Sequence, residues 1–508
     1  MPDVITRRKF LRATVAACAS TAGVAATAKP NVIVILADDI GYGDLGCYGA
    51  TKVKTPNLDL LAAKGLRFTD GHSAAATCTP TRYAMMTGEY AFRKKGTNIL
   101  PGDANLIVDP GRPTIQSIFK QAGYSTGVVG KWHLGLGKSK IDWNVAIKPG
   151  PLETGFDYSF IIPATGDRVP CVYVENHRVV GLDPKDPIQV NYQDRIGTEP
   201  TGKERPDLLK MKLSAGHDQT IVNGISRIGY MSGGKKALWV DEDIAKTLTG
   251  KAVDFITRSQ KKPFYLYFAT HDIHVPRFPE ARFQGSSGCG VRCDAIQQLD
   301  WSVGQIMATL DKLKLAGNTL LLFTSDNGAV IDDGYADGSV ENLNGHEASG
   351  ALRGGKYSNY EGGTRLPFIA RWPGRIKPGE SAALVCQVDL LASFAALTGV
   401  KMPDNAGLDS FNLLPALLGD SKEGREHLLE QAAGISIRKG NWKLVPKRPG
   451  ADTKKGNGRR APEGLETELF NLSKDIGEKK NIASEYPELV REMTALLAKL
   501  QEQGRSRP

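Results

Sequence analysis

Apolar runs of six or seven residues recur along this chain, and each ends in polar residues. "NVIVILADDIG" (31–41) is continuously apolar up to two aspartates. A run of that length and character predicts a strand buried on both faces, as in a parallel sheet. "FYLYFATHDIH" (264–274) and "TLLLFTSDNG" (319–328) have the same form. "TIQSIFKQAGYSTGVVG" (114–130) reads as helix, glycine cap, strand. "TPNLDLLAAKG" (55–65) reads as a helix, with Pro56 at its first position and Gly65 just past its end. Residues 241–260 and roughly 292–316 carry two further helical patterns. The alternation predicts an α/β fold, with a large mixed, mainly parallel sheet sandwiched by helices.

The pattern changes after "LLASFAALTG" (390–399). "ISIRKGNWKLV" (435–445) reads as a hairpin, "TELFNL" (467–472) as a strand, and "PELVREMTALLAKLQEQ" (487–503) as an amphipathic helix. The expectation is a small C-terminal α+β domain with an antiparallel sheet over 401–508, behind a larger domain over 29–400. Residues 160–240 are polar, rich in Gly and Pro and weakly periodic, so they read as loops over the sheet edge. The charged, Gly-rich stretch 447–464 reads as a solvated loop.

Residues 1–28 have a different character. "TRRKFLR" (6–12) precedes a mild Ala-rich apolar stretch and "ATA" at 26–28. That is a basic segment, an apolar segment and a small-residue cleavage site, with the arginine pair of a twin-arginine export signal. An exported protein, periplasmic or extracellular, and the twin-arginine export machinery as a partner are expected. Acylation at Cys18 is a minor alternative. No later stretch approaches a transmembrane span. Six of the seven cysteines lie beyond Cys18, too sparse for a disulfide framework in a chain of 508 residues, although Cys289 and Cys293 could pair.

Composition adds little. Charged residues make up 24% and hydrophobic ones 41%, ordinary for a soluble globular protein. The net charge is +10, of which +3 lies in residues 1–28. A basic surface suits an acidic substrate. No nucleic-acid partner is expected.

The strand ends carry the candidate chemistry. Asp38-Asp39, His271/His274 and Asp326-Asn327 each follow an apolar strand. Ligands of such sheets bind at the carboxyl ends of strands, so three polar clusters there suggest one shared site. A fourth element is "AAATCTPTRYAMMTG" (74–88). Thr79 is a plausible N-cap, Pro80 fits the first turn and Gly88 could end a short helix. Cys78 would sit just ahead of the helix N-terminus, where the dipole lowers a thiol pKa. On this stretch alone a structural thiol and a reactive one stay equally open.

Cys78-x-Pro80-x-Arg82 followed by Thr87-Gly88 resembles the signature of the type I, formylglycine-dependent sulfatases of the alkaline-phosphatase-like superfamily. Thr81 stands where that pattern most often has serine. "GYSTGVVGKWHLG" (123–135) is similar to the second family signature, "LADDIGYGDLGCYG" (36–49) to its N-terminal strand, and "ATHDIHVP" (269–276), "TSDNG" (324–328) and "LRGGKYSNYEGGTRLPFIARWPG" (352–374) to further family segments. The order and spacing hold from about residue 31 to 400. "ELFNLSKDIGEKKNIA" (468–483) looks like the family's C-terminal segment.

The resemblance implies a sulfatase catalytic domain over 29–400 and a set of roles. Cys78 would be oxidised to Cα-formylglycine by a formylglycine-generating or other sulfatase-maturing enzyme. Asp38, Asp39, Asp326 and Asn327, with the modified residue 78, would hold Ca²⁺ or Mg²⁺ through oxygen. Lys131 and Lys356 would hold sulfate or leaving-group oxygens, and Arg82 would orient the formylglycine and partner a carboxylate. His274 would contact substrate as acid, alone or together with Lys356, and His133 would be the base. One hydroxyl of the hydrated formylglycine would attack sulfur and displace the alcohol, and loss of the second hydroxyl's proton would expel sulfate and restore the aldehyde. His271 reads as structural, with substrate contact as the alternative, and His346 as a subsite candidate. The expected reaction is hydrolysis of a sulfate monoester, on a sulfated small molecule or glycan. The rivals are a phosphomonoester or phosphonate-ester hydrolase of the same superfamily and a non-catalytic binder of sulfated glycans. The GKWH and THDIHVP contexts favour sulfate.

Overall fold

The computed structural model describes residues 29–448 and 464–507. The export-signal expectation for 1–28 and nearly all of the 447–464 loop therefore lie outside the described residues. Among the described residues, ten strands form one large sheet. Its middle is five parallel strands in the order Thr319–Ser325, Asn31–Ala37, Phe264–Ala269, Ser125–Lys131 and Tyr158–Ile162. Every residue of Asn31–Ala37 and Thr319–Ser325 is buried, as their unbroken apolar runs require. Antiparallel neighbours extend both flanks, which makes the sheet mixed.

Helices cover both faces, and two adjacent aromatics show how. Successive strand residues point to opposite sides of a sheet. Phe264 meets Phe255 of the helix Ile244–Ser259 edge-on, with centroids 6.1 Å apart. Tyr265 instead stacks on Phe119 of the helix Ile115–Gln121 at 4.5 Å and lies 6.3 Å from Phe394 of the helix Leu390–Thr398. The helix Gly290–Lys312 packs beside Ile244–Ser259. Cys289 and Cys293 are joined by a disulfide at its N-terminal end.

The strands at 264 and 319 stop at Ala269 and Ser325, so the polar residues beyond them follow strand ends as expected and are free to turn into a site. One expectation needs correction. Residues 160–240 are more than loops over an edge. They complete the fifth parallel strand, supply the sheet's last two strands, Val174–Glu175 and Arg178–Val179, and add short ribbons. Short strands of two or three residues carry too little periodicity to be read from sequence.

A separate four-stranded antiparallel sheet comprises His427–Gln431, Ile435–Lys439, Trp442–Val445 and Glu468–Asn471, in that order. The helix Pro487–Glu502 packs on it through Met493, Leu497 and Leu500. The first strand is an addition to the hairpin, strand and helix expected there. Its outer edge is not bare, because Ala76 N–H donates to Gln431 O at 2.7 Å and Gln431 N–H to Ala74 O at 3.0 Å.

A buried ionic hub joins this sheet to the body. Lys443 Nζ lies 2.9 Å from Glu361, 3.0 Å from Glu430 and 3.7 Å from Glu478, and all four side chains are buried. Arg438 reaches Asp70 at 3.2 Å and Glu361 at 3.1 Å, and His72 bridges Asp70 at 2.9 Å and Glu430 at 3.2 Å. Burial works to raise Glu361, but Lys443 and Arg438 hold its carboxyl below the ordinary range. Burial pushes Glu478, farther from the lysine, up to about 8.

Lys443→Met strands these carboxylates, and urea denaturation should find it less stable by about 3–5 kcal/mol. Glu478 binds its proton more tightly folded than unfolded. Its contribution to stability is therefore complete below its unfolded pKa and is lost as pH rises through about 8. Glu478→Gln should flatten the fall in stability between about pH 5 and 8, measured by denaturation at several pH values.

Candidate active site

All five parallel strands end at one place. Asp38 and Asp39 follow Ala37, Asp326 and Asn327 follow Ser325, His271 and His274 follow Ala269, and Lys131 with His133 closes the fourth strand. Asp167 and Arg168 follow the fifth. Ligand oxygens of Asp38, Asp39 and Asp326 all lie within 4.8 Å of one another, fully buried.

These carboxylates are held by three cations. Lys131 Nζ donates to both oxygens of Asp38 at 2.8 Å. Arg82 grips Asp326 through Nε at 3.0 Å and Nη2 at 2.7 Å, while Nη1 donates to the Lys131 carbonyl and to Tyr267. Lys356 Nζ bridges Asp39 at 2.9 Å and Asp333 at 3.0 Å. Burial opposes ionisation of Asp38, yet Lys131, the nearby histidines and Arg82 hold it well below the carboxylate range. Asp326 is pushed up to about 6 by burial and by the charge on Asp38. Asn327 donates to Asp39 at 2.7 Å through Nδ2, leaving its buried Oδ1 without a hydrogen-bond partner among the described residues. A divalent cation fits this set. It would satisfy the orphan oxygen and relieve the repulsion that raises Asp326.

The helix Cys78–Thr87 is buried along its whole length. Its N-cap is Thr77 rather than Thr79, so Cys78 is already the first helical residue. Gly88 ends it at φ 66°, the left-handed conformation expected of a C-terminal glycine. Burial pushes the Cys78 thiol up, against the pull of Lys131 and Lys356, which reverses the lowering expected from the helix dipole. A thiol so placed is a poor thiolate nucleophile. Cys78 opens onto a cavity of about 70 Å³ shared with His274, Lys356, Asp333, Tyr357, Asp167, Arg168 and His217.

The family model for sulfatases matches residues 30–400. The chain belongs to the sulfatase family. This sulfatase is a sulfuric ester hydrolase and is 52% identical to an N-acetylgalactosamine-6-O-sulfatase of Bacteroides thetaiotaomicron, over 92% of both chains. It is 33% identical to human arylsulfatase A, over 94% of this chain and 89% of that one. A solved structure reported under glycosaminoglycan metabolism by Bacteroides thetaiotaomicron superimposes with TM-score 0.91 at 52% identity, covering 93% of this chain and 99% of that one. Members of the family generally use formylglycine and a divalent metal ion.

The histidines of the sulfatase separate by their partners. His271 accepts from Gly166 N–H at Nε2, 2.7 Å, so its Nδ1 carries the proton and donates to Asp38 at 3.0 Å. Both nitrogens are thus used within the protein. His346 Nε2 lies 2.7 Å from Asp44 and away from the cavity lining. His274 donates from Nδ1 to the Val275 carbonyl at 2.7 Å, which leaves Nε2 without a hydrogen-bond partner among the described residues. His133 donates from Nε2 to Leu100 O at 2.9 Å, and its buried Nδ1 has no partner among the described residues. Both are pushed well below the ordinary imidazole range by burial, with Lys131 adding to it at His133 and Lys356 at His274.

Five polar residues of the cavity, Asp167, Arg168, His217, Asp333 and Tyr357, and two apolar ones, Ile99 and Ile228, were not among the site residues expected from sequence. Asp167 accepts from Arg168 at 2.7 and 2.8 Å and from His217 at 3.0 Å. The first two stand about one turn past a strand end, the same signal as the others, but inside a stretch that reads as loop. Nothing local marks His217 or Asp333.

Arg82→Lys keeps the charge but cannot hold Asp326, the Lys131 carbonyl and Tyr267 together. Thermal unfolding should place it about 1–3 kcal/mol below the unsubstituted chain.

Proposed function

We propose that this sulfatase removes a sulfate ester from a sulfated carbohydrate, with the 6-O-sulfate of an N-acetylgalactosamine-type sugar as the substrate to try first. The observation that carries the reaction is one cavity lined by Cys78, His274 and Lys356, with Lys356 bonded to Asp39 of the buried Asp38–Asp39–Asp326 cluster and Lys131 to its Asp38. The sugar is supported by the relative of that specificity, 52% identical over 92% of both chains. Asp167, Arg168, His217 and Tyr357 give the cavity lining donors and acceptors suited to sugar hydroxyls.

Asp38, Asp39, Asp326 and Asn327, with residue 78, would hold the cation, Ca²⁺ or Mg²⁺, which when bound offsets the carboxylates and polarises sulfate oxygens. Cys78, in its Cys-x-Pro-x-Arg setting, would be matured to formylglycine, whose hydrate supplies two hydroxyls on one carbon, one to attack and one to release. Lys131 and Lys356 would offset the charge of sulfate as fixed cations in a largely buried site. Arg82 fixes Asp326 and, through it, the helix that carries residue 78. His274 presents Nε2 to the leaving oxygen. The negative charge of an arriving sulfate ester works against the burial and the Lys356 charge that hold its pKa low, so the bound-substrate state favours the imidazolium that can give a proton to the leaving oxygen. His133 keeps a lone pair at Nδ1 to accept a proton.

Export is supported by the pattern of residues 6–28 and by the Cys289–Cys293 disulfide, a bond of oxidising compartments.

Mass spectrometry of the peptide over Cys78 from the native host should find it about 18 Da lighter than its cysteine form. An unmodified thiol in active enzyme overturns the formylglycine. Purified enzyme should release sulfate from 6-O-sulfated N-acetylgalactosamine and turn over aryl sulfate faster than aryl phosphate or phosphonate, whereas phosphate dominance sinks the reaction class. His274→Ala should lower kcat by about 10²–10⁴-fold on the sugar sulfate.

A further inference from the structure

Asp44 belongs to none of the strand-end clusters, yet it is fully buried and receives four hydrogen bonds. Arg292 donates to both its oxygens, Nη1 to Oδ1 at 2.7 Å and Nη2 to Oδ2 at 2.6 Å. His346 Nε2 meets Oδ1 at 2.7 Å, and Gly41 N–H donates to Oδ2 at 2.7 Å. Arg292 Nη2 also donates to the backbone carbonyl of Asp39 at 3.0 Å.

That last bond matters because of how Asp39 is built. Its φ is 61°, in the left-handed region that a residue with a side chain avoids. Such a residue persists only where its surroundings over-determine it. Asp39 is fixed at its carbonyl by Arg292, at its side chain by Asn327 and Lys356, and at its N–H by a long contact to Asp326 at 3.4 Å. Of these, only the Arg292 contact is independent of the site's own polar groups. Packing keeps it in place. Gly41 and Gly43 admit the backbone of 346–350 so closely that a Cβ on either would come within 2.2 Å of a carbonyl oxygen, and this seats His346 on Asp44. Arg292 projects from the first turn of its helix, the turn spanned by the Cys289–Cys293 disulfide.

We infer that Asp44, Arg292 and His346 are positioning residues that hold the Asp39 peptide in its left-handed conformation and thereby set the carboxylate that faces the cation. The inference rests on the reading of Asp38, Asp39, Asp326 and Asn327 as cation ligands. Without Arg292 the Asp39 peptide relaxes toward negative φ, its carboxylate swings off the shared point, and the ordering must be restored each time a cation binds. Partners behind a ligand typically change metal affinity by about 10–100-fold. A merely structural triad would lower stability but leave affinity alone.

The test uses the matured full-length protein, stripped with a chelator and titrated by calorimetry with Ca²⁺ and, in parallel, Mg²⁺. Arg292→Met and Asp44→Asn should weaken binding about 10–100-fold, and His346→Gln by less. At saturating cation, kcat should return to within a few-fold of the unsubstituted enzyme with KM unchanged. If Arg292→Met does not fold, Arg292→Lys serves, since lysine cannot span both Asp44 oxygens and the Asp39 carbonyl. A folded Arg292 or Asp44 variant that binds the cation as tightly as the unsubstituted chain overturns the positioning role alone. An unsubstituted chain that binds neither cation overturns the ligand reading and this inference with it.

Discussion

Three carboxylates share one buried point, and most of the interior is arranged to make that tolerable. Ionised groups out of water cost several kcal/mol each unless paired. Arg82, Lys131 and Lys356 answer Asp38, Asp39 and Asp326 one for one, and each arrives from a different part of the chain. A parallel sheet is the economical way to do this, since five strands running the same direction bring five loop starts together. The apolar runs that build the strands and the polar residues that end them are thus two parts of one arrangement.

The same logic recurs away from the cavity. Lys443 serves Glu361, Glu430 and Glu478, and Arg438 serves Asp70 and Glu361. Glu361 stands five residues beyond Lys356, and His72 stands six before Cys78. The hub therefore stands close in sequence to two of the segments that line the cavity from outside the parallel strands, those carrying Cys78 and Lys356. The cavity and the hub are stabilised in the same way, by buried charge closely paired, and they share the fragility that comes with it.

Much of this was legible in the sequence, for a specific reason. A strand buried on both faces leaves an apolar run with no alternation, so its end is easily seen, and the polar residues just beyond it are marked as strand-end chemistry. That located Asp38, Asp39, Asp326, Asn327, His271 and His274 in one place. Asp167 and Arg168 escaped because Tyr158–Ile162 is short and opens a polar stretch. Asp333 and His217 escaped because tertiary contact alone brings them in. The roles of His271 and His346 could not be read from spacing, because each depends on a partner far along the chain, Asp38 and Asp44. The N-cap of the Cys78 helix was misplaced by two residues, since Thr77 and Thr79 are equally good caps and only the backbone distinguishes them.

The edge contact between Gln431 and residues 74–76 has a consequence in time as well as in space. The loop leading into Cys78 is closed by residues that emerge from the ribosome about 350 positions later, and at roughly 5–20 residues per second that interval is on the order of 20–70 s. Throughout it, the segment that ends up sealed inside the protein has no partner on that side. The order of synthesis thus acts as a delay, and the segment leading into Cys78 stays uncovered on that side until the C-terminal sheet has been made.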